Sequence, residues 1–259
     1  MIDYPSNLND MGMKLPMLVK HLQAAQETRR RNFQTLSGGA RLRGVDCLLA
    51  YLDSIQTLFE GHHRLKRITF LIERAKEANL LAIESALAGY YSAGIDATRT
   101  IMEIEFLLRD FRYNKDHLEE WLSADYRTQA GKFGANAMRQ RYANQLGISV
   151  TDLRDSTDYK MHSRLLHVTT SFNPFGGTPG VKTPKLAFGE DAVYWEIFEH
   201  NARLLAQVHG LKRRRAPRLP LPHPSEDKEL ASFRDALSRT RDMRSISEAL
   251  LKASKAGDR

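Results

Sequence analysis

Apolar side chains recur along this chain at three- and four-residue intervals, the period of an α-helix. Alternation of apolar and polar positions is rare, and no Asn-Gly or Asp-Gly hairpin turn occurs. The pattern predicts helices over about 17–34, 42–60, 64–112, 115–145, 151–170, 191–213 and 226–254. The fold class that follows is all-α: a helical bundle with a long central helix pair, then a separate C-terminal helix.

The stretch 64–112 is too long for one ordinary helix. The segment "AGYYSAG" (88–94) is its expected break, because glycine weakens a helix interior. Asn114 and Asp116 read as turn or capping residues before the next helix. Gly147 reads as a stop, and Thr151 as the N-cap of the following helix.

Residues 171–190 hold three prolines and four glycines, so a regular helix is excluded there. A segment of this kind between helices is either a functional loop or a connector across the end of the bundle. The run "RRRAPRLPLPHPSEDKEL" (213–230) contains a basic, proline-rich linker. The domain reading is a helical bundle over 1–213, a linker over 214–225 and an amphipathic helix over 226–259. That last helix carries Leu230, Phe233, Leu237, Ile246 and Leu250 on its apolar side and is suited to a protein partner.

Composition narrows the setting. The 259 residues include one cysteine, Cys47, so an intrachain disulfide and a cysteine zinc cage are both excluded. The N-terminus lacks the order of a signal peptide, and no uncharged apolar run of about 18 residues occurs. A cytoplasmic chain with no membrane attachment is expected. Net charge is +8, which favours an anionic partner such as RNA. Much of that charge sits in two clusters, at 29–31 and 212–215, which equally suit solvated helix ends.

Two polar patterns carry candidate chemistry. Asp96, Arg99 and Glu103 fall on a stripe roughly 60° wide of an otherwise apolar helix. They form either a narrow solvated strip of ion pairs or a cluster facing a cleft or subunit interface. In "YKMHSRLLH" (159–167), Tyr159, Ser163 and His167 repeat every four residues on one face, with His162 beside them. Histidine is the natural acid–base group near neutral pH. The bland reading of His167 is a core histidine bonded to a carbonyl. His162 and His167 point roughly 140° apart on a helix and make a poor metal pair. HExxH, GxSxG, Walker A and GxGxxG are all absent, so no metal and no cofactor is expected.

"AGYYSAGIDATRTIMEIEFLLRDF", followed about fifty residues later by "YKMHSRLLH", resembles the HEPN-like helical families. Within them it is most similar to bacterial groups with an R-x-x-x-E helix and a later Y-x-x-x-S-x-x-x-H helix. The matching positions are Arg99 with Glu103, and Tyr159, Ser163 and His167, within about residues 64–210. The resemblance implies a helical bundle that dimerises. It also implies metal-independent endoribonuclease activity, of the kind found in a toxin or antiviral defence effector. In that reading His167 is the general acid–base, Arg99 meets the phosphate, Glu103 holds Arg99, and Tyr159 and Ser163 position His167. Arg164, His162 and Arg154 are the expected further contacts to RNA. The R-x4–6-H motif of the active families is absent: Arg164 precedes His167 by three residues and Arg154 by thirteen, while Arg154 precedes His162 by eight. The alternative function is a non-catalytic interaction or scaffold module, with the same polar residues serving as a structural network.

Overall fold

Gly89 ends the first half of the long helical stretch. It adopts a left-handed φ of 86°. Its N–H reaches the Ala86 carbonyl at 3.1 Å, and the Tyr90 N–H reaches Ser85 at 2.8 Å. This pair of bonds satisfies carbonyls that the helix end leaves open, and glycine adopts that φ without a Cβ clash. The break therefore falls inside the predicted 88–94 segment. Two helices result, α3 (Thr69–Ala88) and α4 (Tyr91–Tyr113).

The computed structural model describes residues 16–36, 40–153, 155–156, 158–160, 162 and 189–218. Before α3 come α1 (Pro16–Leu36) and α2 (Ala40–Glu60), with a 3₁₀ turn at Lys66–Ile68. After α4 come α5 (His117–Ser123), α6 (Tyr126–Lys132), α7 (Ala135–Leu146), a 3₁₀ turn at Val150–Asp152 and a helical turn over 158–162. The last described helix is α8 (Gly189–Arg215). No strand occurs among the described residues, and the fold is an all-α bundle. None of its described helices is long and apolar enough to cross a membrane.

Helix α4 packs most extensively on α8 and on α3. Its buried Ile101, Met102, Phe106, Leu108 and Phe111 meet Val193, Tyr194, Ile197, Leu204 and Val208 of α8 in one core with α2 and α3. Burial of each such side chain contributes about 1.5–3 kcal/mol. The two helices run parallel. At their N-terminal ends, a Cβ on Gly94 would lie 3.0 Å from Val193 Cγ1 and 3.2 Å from the Ala82 carbonyl, so a larger residue would force its neighbours to shift by a few tenths of an ångström. At their C-terminal ends, Arg214 donates to the Arg112 carbonyl at 2.5 Å and Arg215 to the Lys115 carbonyl at 2.8 Å. Part of the 212–215 basic cluster thus satisfies carbonyls at the end of α4. Accordingly α8 continues two residues past the predicted end at 213, into the segment expected as linker.

Residues 115–145 were expected as one helix and form three. Asp125 caps α6 by accepting from Thr128 N–H at 2.8 Å, and the backbone is extended at Ala124 and again at Gly134. Competition from a local cap outweighs continuous helical periodicity there. Gly147 ends α7 as expected, with φ 69°. The following N-cap is Ser149 rather than Thr151: the Ser149 hydroxyl accepts from the Thr151 N–H at 3.3 Å. The segment 171–188 and the C-terminal helix at 226–254 lie outside the described residues.

Asn79 of α3 and Asn201 of α8 fix the register of these helices. Each amide donates to the other's side-chain oxygen, at 3.1 and 2.8 Å, and each also donates to a carbonyl of its own helix. Both are buried. We predict that Asn201→Ala lowers stability by about 2–3 kcal/mol, because Asn79 loses its partner in the core. The double variant with Asn79→Ala should cost less than the sum of the two single changes. Denaturant unfolding of the four proteins measures both effects.

Candidate functional site

Arg99 and Glu103, one turn apart on α4, are joined by an ion pair of 2.9 Å. They line an open cleft of about 490 Å³, together with Arg74, Trp121, Phe133 and Tyr159. Three of the sequence-predicted site residues, Arg99, Glu103 and Tyr159, thus meet at one place. The 96–103 stripe shares features of both readings: the Arg99–Glu103 pair is solvated, with the Glu103 side chain 46% exposed, and it lines an open cleft. Asp96 leaves the trio: its Oδ1 is buried and has no hydrogen-bond partner. Burial raises the Asp96 pKa, and the charges of His162 and Arg99 oppose that rise.

The turn that brings in Tyr159 is fastened on several sides. Asp155 accepts from Arg109 of α4 at 3.2 Å and from Arg139 of α7 at 3.1 Å. Asp158 accepts from Arg203 of α8 at 2.7 Å, and Arg203 also bonds Glu199. The guanidinium of Arg139 lies 4.3 Å from the Tyr159 ring centroid and that of Arg99 lies 5.9 Å from it. Phe106 packs against the same ring at 6.2 Å. A tyrosine ring within reach of two guanidinium groups gains cation–π attraction; of these two cations Arg99 lines the cleft, whereas Arg139 is buried against Asp155.

His162, expected as a nucleic-acid contact, is instead fully buried. Its Nε2 lies 3.1 Å from Glu196 Oε2 and 3.2 Å from His200 Nε2, and His200 Nε2 lies 2.7 Å from the same oxygen. One turn past Tyr159, the chain has rotated the histidine away from the cleft and onto α8. Burial alone would push Glu196 up. The hydrogen bonds from His162 and His200 outweigh it and hold the carboxyl well below its usual range. Arg154, Ser163, Arg164 and His167 lie outside the described residues.

Several members of this site were not read from the sequence. Glu196 and His200 form an E-x-x-x-H pair in "WEIFEH", the i,i+4 spacing that puts both on one helical face. That signal was present. Arg74, Arg139 and Asp155 had no local signature, since each gains its role from a helix distant in sequence. Comparison of the chain with protein-family models, with curated proteins and with solved structures finds no match.

Beneath the cleft, Glu105 of α4 is almost fully buried and pairs with Arg109 at 3.4 Å. Its carboxyl is pushed up to about 7, chiefly by burial; Arg109 opposes the shift and Asp155 adds to it. A carboxyl whose folded pKa exceeds the unfolded one contributes stability below the unfolded pKa and loses it as pH rises through the folded one. Stability should therefore fall between about pH 4.5 and 7 on account of Glu105. In Glu105→Gln this fall should shrink by roughly 2 kcal/mol over pH 5 to 8. Urea denaturation across that range tests it, and an unchanged slope would remove Glu105 as the cause.

Proposed function

We propose that this chain is an HEPN-like, metal-independent endoribonuclease acting at the 74–99–103–159 cleft. The observation that supports this reading is the convergence of Arg99, Glu103 and Tyr159 on one open cleft beside a further cation, Arg74. Arginine suits a phosphate because its planar donors match the phosphate oxygens, and the Glu103 carboxylate holds Arg99 in that orientation. His167, eight residues after Tyr159 in sequence, supplies the acid–base group. It takes the proton from the ribose 2′-OH as that oxygen attacks phosphorus. The bond from phosphorus to the 5′-oxygen breaks, and the leaving oxygen collects a proton. The product carries a 2′,3′-cyclic phosphate. Arg99 stabilises the charge that gathers on the phosphoryl oxygens.

The second reading, a helical interaction module, draws on Leu80 and Leu81, adjacent exposed leucines on α3 that suit a dimer or protein contact.

The deciding experiment is cleavage of labelled RNA without added divalent ions, using the full chain, Arg99→Ala and His167→Ala. Cyclic-phosphate products are expected from the unaltered chain, with rates at least about 100-fold lower in each variant. Intact RNA with the unaltered chain, or equal rates in all three, would favour the interaction module. Glu103→Gln should leave a larger residual rate than Arg99→Ala, since Glu103 acts only through Arg99.

A further inference from the structure

Two imidazole nitrogens and one carboxylate oxygen meet at the buried cluster behind the cleft. Their separations are 3.2, 3.1 and 2.7 Å. An ion with bonds of about 2.0–2.1 Å holds neighbouring ligand atoms roughly 3 Å apart, so the triangle has coordination size. The ligands come from two elements: Glu196 and His200 from one face of α8, and His162 from the turn packed against it. All three are buried. Two histidines and a carboxylate form a donor set suited to zinc and to other first-row divalent ions.

Protons alone satisfy this cluster poorly. With a proton on both Nε2 atoms, two N–H groups converge on one carboxylate oxygen and repel each other. With a proton on only one, the lone pair of the other nitrogen faces the carboxylate oxygen.

We propose that His162, Glu196 and His200 bind a divalent first-row transition ion, zinc in the first instance, with water in the fourth position. The ion is structural. With both histidines buried, it does not meet substrate, and the chemistry of the cleft stays metal-free. It fastens the turn carrying Tyr159 to α8, where Asp158 and Arg203 already bridge the same two elements. Coordination thus supports the cleft wall from behind, as a structural zinc stabilises the elements it joins.

The test uses the purified full chain. Its metal content is measured, the protein is stripped with a chelator, and zinc is returned by calorimetric titration alongside a thermal melt. Cobalt replaces zinc in a parallel sample for visible spectroscopy. The expected result is about one zinc per chain, a melting temperature that falls on stripping and recovers on refilling, and visible bands with cobalt. His200→Gln and Glu196→Gln should weaken binding by more than about 100-fold, beyond the loss of an outer-shell partner, with helical content unchanged. The stacked His62–His63 pair, of which His62 is half-buried and His63 exposed, is the control. A stripped chain that takes up no stoichiometric zinc, with the same melt and featureless cobalt spectra, would overturn the proposal. So would binding that is lost in His62→Ala/His63→Ala and kept in His200→Gln. Should either glutamine variant fail to fold, the titration of the unaltered chain still decides the matter.

Discussion

Helix α4 has little solvent face to spare, and that constraint organises the molecule. It lies between α3 and α8, and its buried residues include Glu105, Arg109 and Asp110 as well as the apolar core. A charge taken out of water must find partners nearby, because an unpaired one costs several kcal/mol. Two of the buried charged side chains of α4 recruit other elements in this way. Arg109 draws in Asp155, and Asp110 collects His117 of α5 and Arg141 of α7. The short helices α5 and α7 are thus held by polar bonds as well as by the apolar contacts of Leu118 and Met138.

Such buried pairs are weak evidence of stability, since well-packed apolar residues of the same volume often serve as well. Their effect here is positional. Asp155 bridges Arg109 and Arg139, so the turn that follows has one register relative to both α4 and α7. Asp158 and Arg203 then fix the same turn to α8. The reciprocal Asn79–Asn201 amides do the equivalent for α3 and α8. Polar groups in an apolar interior admit few alternative pairings, and this is how they select one arrangement among many of similar packing.

The helical turn over 158–162 joins the two halves of the candidate site. Tyr159 lines the cleft, with the Arg99 and Arg139 guanidinium groups both near its ring, while His162 turns inward to Glu196 and His200. The three-residue step rotates the side chain by roughly 60° about the helix axis. On a helix wedged between a cleft and a second helix, that rotation is enough to separate an accessible group from a fully buried one. The cleft and the buried cluster are therefore joined through one turn of backbone.

Much of the fold was legible in sequence because helical periodicity and glycine stops are local properties. The all-α class, the break at 88–94 and the end of α7 at Gly147 all follow from residues within a few positions of one another. The division of 115–145 at Asp125 is equally local, but the helical period that runs through the segment masks the cap. At the site, the pairing of Arg99 with Glu103 was readable as an i,i+4 step, and so was the E-x-x-x-H spacing of Glu196 and His200. The burial of His162 was not. Neither was its meeting with a pair 34 and 38 residues further on. The sequence by itself determined which residues share a helical face, since that follows from 3.6 residues per turn. Only the tertiary structure decided which face meets solvent and which meets α8, because that depends on the packing of helices far apart along the chain.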